Sequence, residues 1–232
     1  MPITTTRRTP AQPKPFAWSY SRFKNYETCP KRYYEIDVMK HFKEPDSEAL
    51  TWGNAVHEAM ANRCGPAQTP LPVGMEPYEL WANKVLVGGG EIETEQSMAL
   101  TENFAPCGFF DKDVWYRAKV DFIKRIGNVA LVVDWKTGKI LEDSVQLALT
   151  AACVFAKYPE IQAIRASFVW LKEDAESSET FYRADMAPLW RGLWPRIEAL
   201  AQAHKTTTFP PSPGRLCRKW CHVTSCPHWQ KG

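Results

Sequence analysis

The chain has 232 residues, 44% hydrophobic and 24% charged, with 29 Lys and Arg against 26 Asp and Glu for a formal net charge of +3. That composition excludes a disordered or collagen-like chain, and the length allows one large domain with a sizeable core. No apolar run approaches the ~18–20 residues of a membrane span and no secretory h-region opens the sequence, so a soluble, cytoplasmic (intracellular) protein with no membrane partner is expected.

Residues 1–17 are rich in Pro and Thr and read as a disordered N-terminal arm; residues 18–232 read as a single domain. Ser19 or Ser21 can cap a helix whose apolar positions Phe23, Tyr26, Tyr33, Tyr34 and Val38 recur at helical spacing, with Pro30 kinking or restarting it. A second helix is expected from Ala49 to Cys64, stopped by Gly65-Pro66, and a third from Tyr78 to Leu86, stopped by Gly88-Gly89-Gly90. Strands come next at about 91–100, 115–126 and 129–135, then a helix over 143–157 ended by Pro159. A strand over 163–171, an edge strand at 179–184 and a helix over 187–204 complete the periodic part; from Thr206 the tail is rich in Pro and Cys. Helices interspersed with strands predict an α/β domain, a central mixed sheet flanked by helices.

Charge is segregated along this chain. Residues 1–40 carry a net +5 and residues 191–232 a net +6, leaving −8 between them. Basic termini around an acidic centre fit a backbone-binding surface around a carboxylate metal site, and equally two solvated charged faces.

The segment 118–139 carries the chemistry. Val129 to Val133 is continuously apolar, as a strand buried on both faces should be. Before it, Ala118, Val120, Phe122 and Ile126 are expected on one face and Lys119, Asp121 and Arg125 on the other, with Gly127-Asn128 as a two-residue hairpin turn. Such a turn sets Ile126 opposite Val129, and hence Asp121 opposite Asp134 and Lys119 opposite Lys136. Two opposed aspartates repel unless a cation lies between them; a hard divalent ion such as Mg²⁺ or Mn²⁺ resolves the conflict. The structural alternative is that Lys119 and Lys136 neutralise the pair.

The seven cysteines fall at 29, 64, 107, 153, 217, 221 and 226. An odd count argues against a secreted disulfide framework. Cys64, Cys107 and Cys153 read as small buried hydrophobes. The tail Cys217-x3-Cys221-x4-Cys226 offers three thiols where a tetrahedral metal or a cubane cluster takes four ligands.

Asp121 followed by Asp134-Trp135-Lys136-Thr137-Gly138 resembles the PD-(D/E)xK nuclease superfamily, in its RecB-like, CRISPR-associated-type exonuclease branch, which reads G-x-x-D-x-(I/V)-D and then D-Y-K-T-G. Further segments resemble it in the same order: WSYSRFKNYETCPKRYY at 18–34; Gly53 to Ala59, like the family's G-x-x-x-H-E helix; Gln146-Leu147-Ala148-Leu149-Thr150, like its Q-L-x-x-Y helix; and the closing cysteines. The likeness spans about residues 18–228. It departs where Thr150 replaces the usual tyrosine and Trp135 the commoner tyrosine.

The resemblance implies a restriction-endonuclease-like core. His57, Asp121 and Asp134 would bind the metal, with the Trp135 carbonyl as a further ligand, Lys136 as the catalytic lysine and Gln146 holding the site or touching DNA. It also implies that Cys29, in the Cys-Pro step, joins Cys217, Cys221 and Cys226 to hold a 4Fe-4S cluster that staples residues 18–40 to 206–232. The family's usual spacing is C-x2-C-x5-C, and a Cys3His zinc site using His222 or His228 is the alternative. The staple would gather Lys31, Arg32, Arg215, Arg218 and Lys219 with Tyr33, Trp220 and Trp229 into a DNA groove, or the aromatics would pack the staple itself.

The function implied is a metal-dependent DNA exonuclease acting on single strands or duplex ends in recombination, repair or mobile-element processing. No helicase motif is visible, so a helicase or recombination partner would act in trans. Two rivals remain: a catalytically silent nucleic-acid-binding subunit of the same fold, and a zinc-stabilised interaction module.

Overall fold

The computed structural model describes residues 16–141, 143–218 and 220–230. Residues 1–15, most of the expected N-terminal arm, lie outside the described residues, as does Lys219.

A two-residue strand, β1 (Trp18–Ser19), leads into α1 (Tyr20–Thr28), whose N-cap Ser19 hydroxyl accepts from the Arg22 N–H. Pro30 acts as expected. Cys29 is extended, with φ −164° and ψ 108°, and α2 (Pro30–Tyr33) restarts with proline in its first turn before a π-helical stretch over Tyr34–Val38. Ser47 caps α3 (Glu48–Cys64), and α4 (Glu79–Leu86) succeeds a 3₁₀ turn.

The remaining elements are β2 (Glu91–Leu100), β3 (Pro106–Cys107), β4 (Tyr116–Ile126), β5 (Val129–Lys136), α5 (Ser144–Lys157), β6 (Ala163–Trp170), β7 (Ala175–Tyr182) and α6 (Met186–Thr206). They build a seven-stranded mixed sheet in the order β3-β2-β4-β5-β6-β7, with β1 parallel beside β4. β5 and β6 are parallel, so the chain must cross between them, and α5 makes the crossing. β7 begins four residues before the expected strand at 179–184. Its Ala-Glu-Ser-Ser start has little strand propensity, but at the sheet edge the backbone pairing with β6, from Trp170↔Ala175 onward, decides the conformation.

Helices cover both faces. On one side Phe23 of α1, Leu149 and Val154 of α5 and Ile197 of α6 pack with Val120, Ile123 and Val132. On the other, Val56 and Met60 of α3 and Trp81 and Val85 of α4 pack with Phe122, Val133 and Trp135.

This division corrects the alternation expected along β4. Val120 belongs to the α5 side and Phe122 to the α3–α4 side, and Ile126 is half exposed. β2 reverses beside it: Met98 and Leu100 join the α5 side and Ile92 the α3–α4 side, with Glu95 between them at φ 51°. A left-handed residue inside a strand rotates the chain, so the residues beyond it present the opposite faces.

Candidate active site

The reversal creates the site. Backbone pairs run from Glu91↔Arg125 to Thr94↔Phe122 and resume at Gln96↔Val120, passing over Glu95 and Asp121, which therefore sit side by side without a ladder pair. On the other flank the hairpin register is the expected one, Ile126↔Val129, but the ladder stops at Phe122↔Val133. The expectation that Asp121 and Asp134 form a directly opposed pair on one face is thus corrected. Asp121 Oδ2 instead accepts the backbone N–H of Trp135 at 2.8 Å, filling the place where the ladder would have continued. Glu95, Asp121 and Asp134 form a row of carboxylates across three neighbouring strands.

α3 brings His57 to this row, with Nδ1 3.3 Å from Asp121 Oδ2. A ring nitrogen of His57 and one oxygen each of Glu95 and Asp121 lie within 4.8 Å of one another. Opposite donors on an octahedral Mg²⁺ are about 4.2 Å apart, so this nitrogen-and-oxygen set fits a hard divalent cation with little closure. Gly53 permits the approach of α3: a Cβ there would stand 3.3 Å from Thr137 Oγ1.

Asp134 faces α5. Lys136 Nζ lies 2.8 Å from its Oδ1, Gln146 Nε2 donates to its Oδ2 at 2.6 Å, and Lys136 Nζ donates to Gln146 Oε1 at 3.2 Å. The Thr150 hydroxyl, at the position of the expected tyrosine, donates to the Gln146 carbonyl at 2.9 Å. The Trp135 ring is buried in the α3–α4 core, and its backbone N–H meets the site through Asp121.

The electrostatics are those of crowded anions. Burial, then the Asp121 charge, pushes the Asp134 carboxyl up to about 6. Burial and Asp121 likewise raise Glu95. The hydrogen bond to Asp121 raises His57, with burial opposing. A cation placed among these groups relieves all three effects at once.

Glu95 is a site residue that the sequence does not reveal. β2 and β4 are joined by a long connection containing β3, with no tight turn to fix their register, so nothing local in the sequence marks Glu95 as the neighbour of Asp121.

The four cysteines expected to share a ligand line a common cavity. Cys29, Cys217, Cys221 and Cys226 line one small cavity with His228 and Trp229, whereas His222 is not part of it. The Ser212 N–H points at Cys29 Sγ at 3.4 Å and the Gly214 N–H at Cys217 Sγ at 3.5 Å. Among the described residues no three of these ligand atoms come within 4.8 Å of one another, so they form no close-packed metal cluster. Cys64 and Cys153 are buried as expected, and Cys107 is half-buried.

The expected base-stacking groove is corrected in part. Tyr33 is 1% exposed, in the core, with its hydroxyl 2.7 Å from His204 Nε2. Trp229 lines the cysteine cavity and donates its ring N–H to the Cys221 carbonyl. Trp220 is exposed. Lys31 and Arg32 also line that cavity but pair with Glu35 and Glu44. Among the described residues no helix is long and apolar enough to cross a membrane.

Among solved structures, a Eubacterium rectale protein provisionally described as an exonuclease is 13% identical, with a TM-score of 0.52 over 87% of this chain and 85% of that one. SSO0001 is 15% identical, with a TM-score of 0.43 over 93% and 87%. At such identities the first of these speaks for the fold alone. No curated protein matches the chain. The family model of the PD-(D/E)XK nuclease superfamily matches residues 17–228, and with a match over nearly its whole length the chain belongs to that superfamily.

Proposed function

We propose that the protein is a Mg²⁺- or Mn²⁺-dependent deoxyribonuclease, an exonuclease acting on DNA single strands or duplex ends. The observation that carries this is the meeting of two sets of residues at one row of the sheet. His57, Glu95 and Asp121 supply nitrogen and oxygen donors from the α3 side, and Asp134 with Lys136 and Gln146 comes from the α5 side. A divalent cation held there by His57, Asp121, Asp134 and Glu95 supplies Lewis-acid polarisation of the scissile phosphate and a bound water of lowered pKa. The chain's own residues do the rest. Lys136, fixed between Asp134 and Gln146, presents a positive charge where phosphate charge develops and orients the attacking water. Trp135 locks the Asp121 carboxylate through its N–H, so that the rotamer is set before substrate arrives. A catalytically silent subunit would have no need to keep the His, both Asp and the Lys in contact.

End-labelled linear and circular single-stranded DNA, incubated with Mg²⁺ or Mn²⁺, tests this beside Asp134→Ala and Lys136→Ala. Metal-dependent loss of the linear substrate alone, absent in both variants, is expected. Intact DNA with folded, metal-loaded protein sinks the enzyme reading.

For the cysteine cavity we infer a 4Fe-4S cluster rather than zinc. A tetrahedral zinc with Zn–S near 2.3 Å holds its sulfurs about 3.8 Å apart, closer than these thiols are grouped. A cubane cluster takes its four cysteines on separate irons, and the resemblance in the sequence favours it.

A further inference from the structure

We propose that Lys119 binds the backbone phosphate next to the scissile one, on the α3 side of the site; the inference rests on the nuclease reading above and deepens it. The cleft opening on that side is lined by His57, Glu95 and Asp121, by Asn54 and Asn62 of α3, and by Lys119, with Glu58 as a further carboxylate. Lys119 is the one Lys or Arg among its lining residues; among the described residues its side chain makes no hydrogen bond or ion pair, and its charge acts on Glu95 only from a distance. Lys136, by contrast, is engaged by both Asp134 and Gln146.

The reversal in β4 separates these two lysines. Hairpin register alone would set them opposite one another. Instead Lys119 joins Asp121 in the α3-side cleft, while Lys136 turns toward Gln146 on α5. The row of carboxylates therefore has one ammonium on each side. Lys119 is two residues along the strand from Asp121, a step of about 6.6–6.8 Å, which is the order of the step between successive phosphates on an extended nucleic-acid strand. A phosphodiester centred on the carboxylate row thus presents its neighbour to Lys119. Asn54 and Asn62 add neutral donors that carry no repulsion for an anion. A cleft lined by carboxylates repels DNA, and beside the cation those carboxylates would hold, Lys119 adds the side-chain charge that offsets this.

The test is fluorescence-anisotropy titration of a labelled single-stranded oligonucleotide with full-length wild type, Lys119→Ala and Lys119→Arg over a series of salt concentrations. Steady-state cleavage and calorimetric Mn²⁺ binding without DNA accompany it. Lys119→Ala should lower the slope of log K against log salt by about 0.7, the value of one single-strand phosphate contact. It should raise KM more than it lowers kcat, leave Mn²⁺ affinity unchanged, and be rescued by arginine. An unchanged slope and KM overturns the proposal. So does a changed Mn²⁺ affinity with an unchanged slope, which makes Lys119 a counter-charge for the carboxylates. Wild type that neither binds nor cleaves DNA overturns the nuclease reading itself, whereas active wild type with an indifferent Lys119→Ala overturns this inference alone.

Discussion

Gln146 gives its side-chain N–H to Asp134 Oδ2 at 2.6 Å while its amide oxygen receives Lys136 Nζ at 3.2 Å. One amide on the first turn of α5 thereby fixes both a carboxylate of opposite charge to the metal it would hold and the ammonium beside it. An amide suits the position because it donates and accepts at once; a carboxylate could only accept and would repel Asp134.

Replacing Gln146 by Ala should therefore cost roughly 10–100-fold in activity and metal affinity, the usual effect of losing a group that orients a ligand. Gln146→Glu should do worse than Ala at neutral pH, because it sets a half-buried like charge against Asp134. Calorimetric Mn²⁺ titration and cleavage rates measured on the same preparations check both. Equal activity in wild type and Gln146→Ala removes the positioning role.

Asp134 makes the metal-free fold pH-sensitive in a direction that can be worked out. Its carboxyl is raised to about 6 by burial and by Asp121, above an unfolded value near about 3.9. The native state therefore holds the proton more tightly than the unfolded state. This contribution to stability is fully present below about pH 4 and is lost as pH rises through about 6. In EDTA, Asp134→Asn should be more stable than wild type at pH 8, and the difference should shrink on titration to acid. Mn²⁺ should raise the melting temperature of wild type and do so much less for the variant. Thermal melts over pH, with and without metal, read both effects; a wild-type-minus-variant difference that does not change with pH overturns the assignment.

Much of this was legible in the sequence because the signals are local. Ser19 caps where the first helix begins, Pro30 breaks α1 from α2, and Gly127-Asn128 sets the β4–β5 register at Ile126↔Val129. What failed was propagation of that register through Asp121. Strict alternation does not hold there: the faces reverse between Val120 and Phe122 on β4, and across the left-handed Glu95 on β2. The same residue is hidden as a candidate ligand, because its partner lies on a strand joined by no tight turn. The convergence of Cys29 with the tail was legible only through the resemblance; in spacing alone, Cys29 is 188 positions from Cys217. Tyr33, expected beside DNA, is in the core because its hydroxyl finds His204 and no longer needs solvent.

Asp143 should be a second positioning residue. It caps α5 through the Val145 N–H at 3.2 Å, and Lys24 Nζ lies 2.9 Å from its carboxylate. Tyr20, one turn before Lys24 on α1, also hydrogen-bonds it, and burial together with Asp143 pushes the Tyr20 phenol up. The clamp ties α1 to the turn that carries Gln146. Asp143→Ala should cost about 0.5–2 kcal/mol as a lost cap and also lower kcat, while Asp143→Asn, which can still cap, should keep most of the stability. If both variants keep wild-type kcat, the clamp is structural only.

The cysteine cavity joins the two ends of the described chain, and its ligand should govern their union. Without it, the start of the tail is held by Phe209, which stacks on Tyr34 at 4.5 Å, and by the Lys31 N–H to the Pro210 carbonyl; beyond these, the Ser212 N–H to Cys29 Sγ is a weak tie for a segment with no regular element besides a 3₁₀ turn. A ligand bridging Cys29 to Cys217, Cys221 and Cys226 closes a loop of nearly the whole domain, and cross-links across long loops restrict the unfolded chain most. Protein purified without oxygen should contain iron and acid-labile sulfide in equal amounts, show visible absorption, and bind little zinc. Cys29→Ser should lose the absorption and melt at a lower temperature, and limited proteolysis should then begin in the tail after Thr206. Zinc in place of iron, with the same loss of stability in Cys29→Ser, replaces the cluster by a zinc staple. No metal, and a Cys29→Ser variant as stable as wild type, means that the four thiols share a cavity without a common ligand.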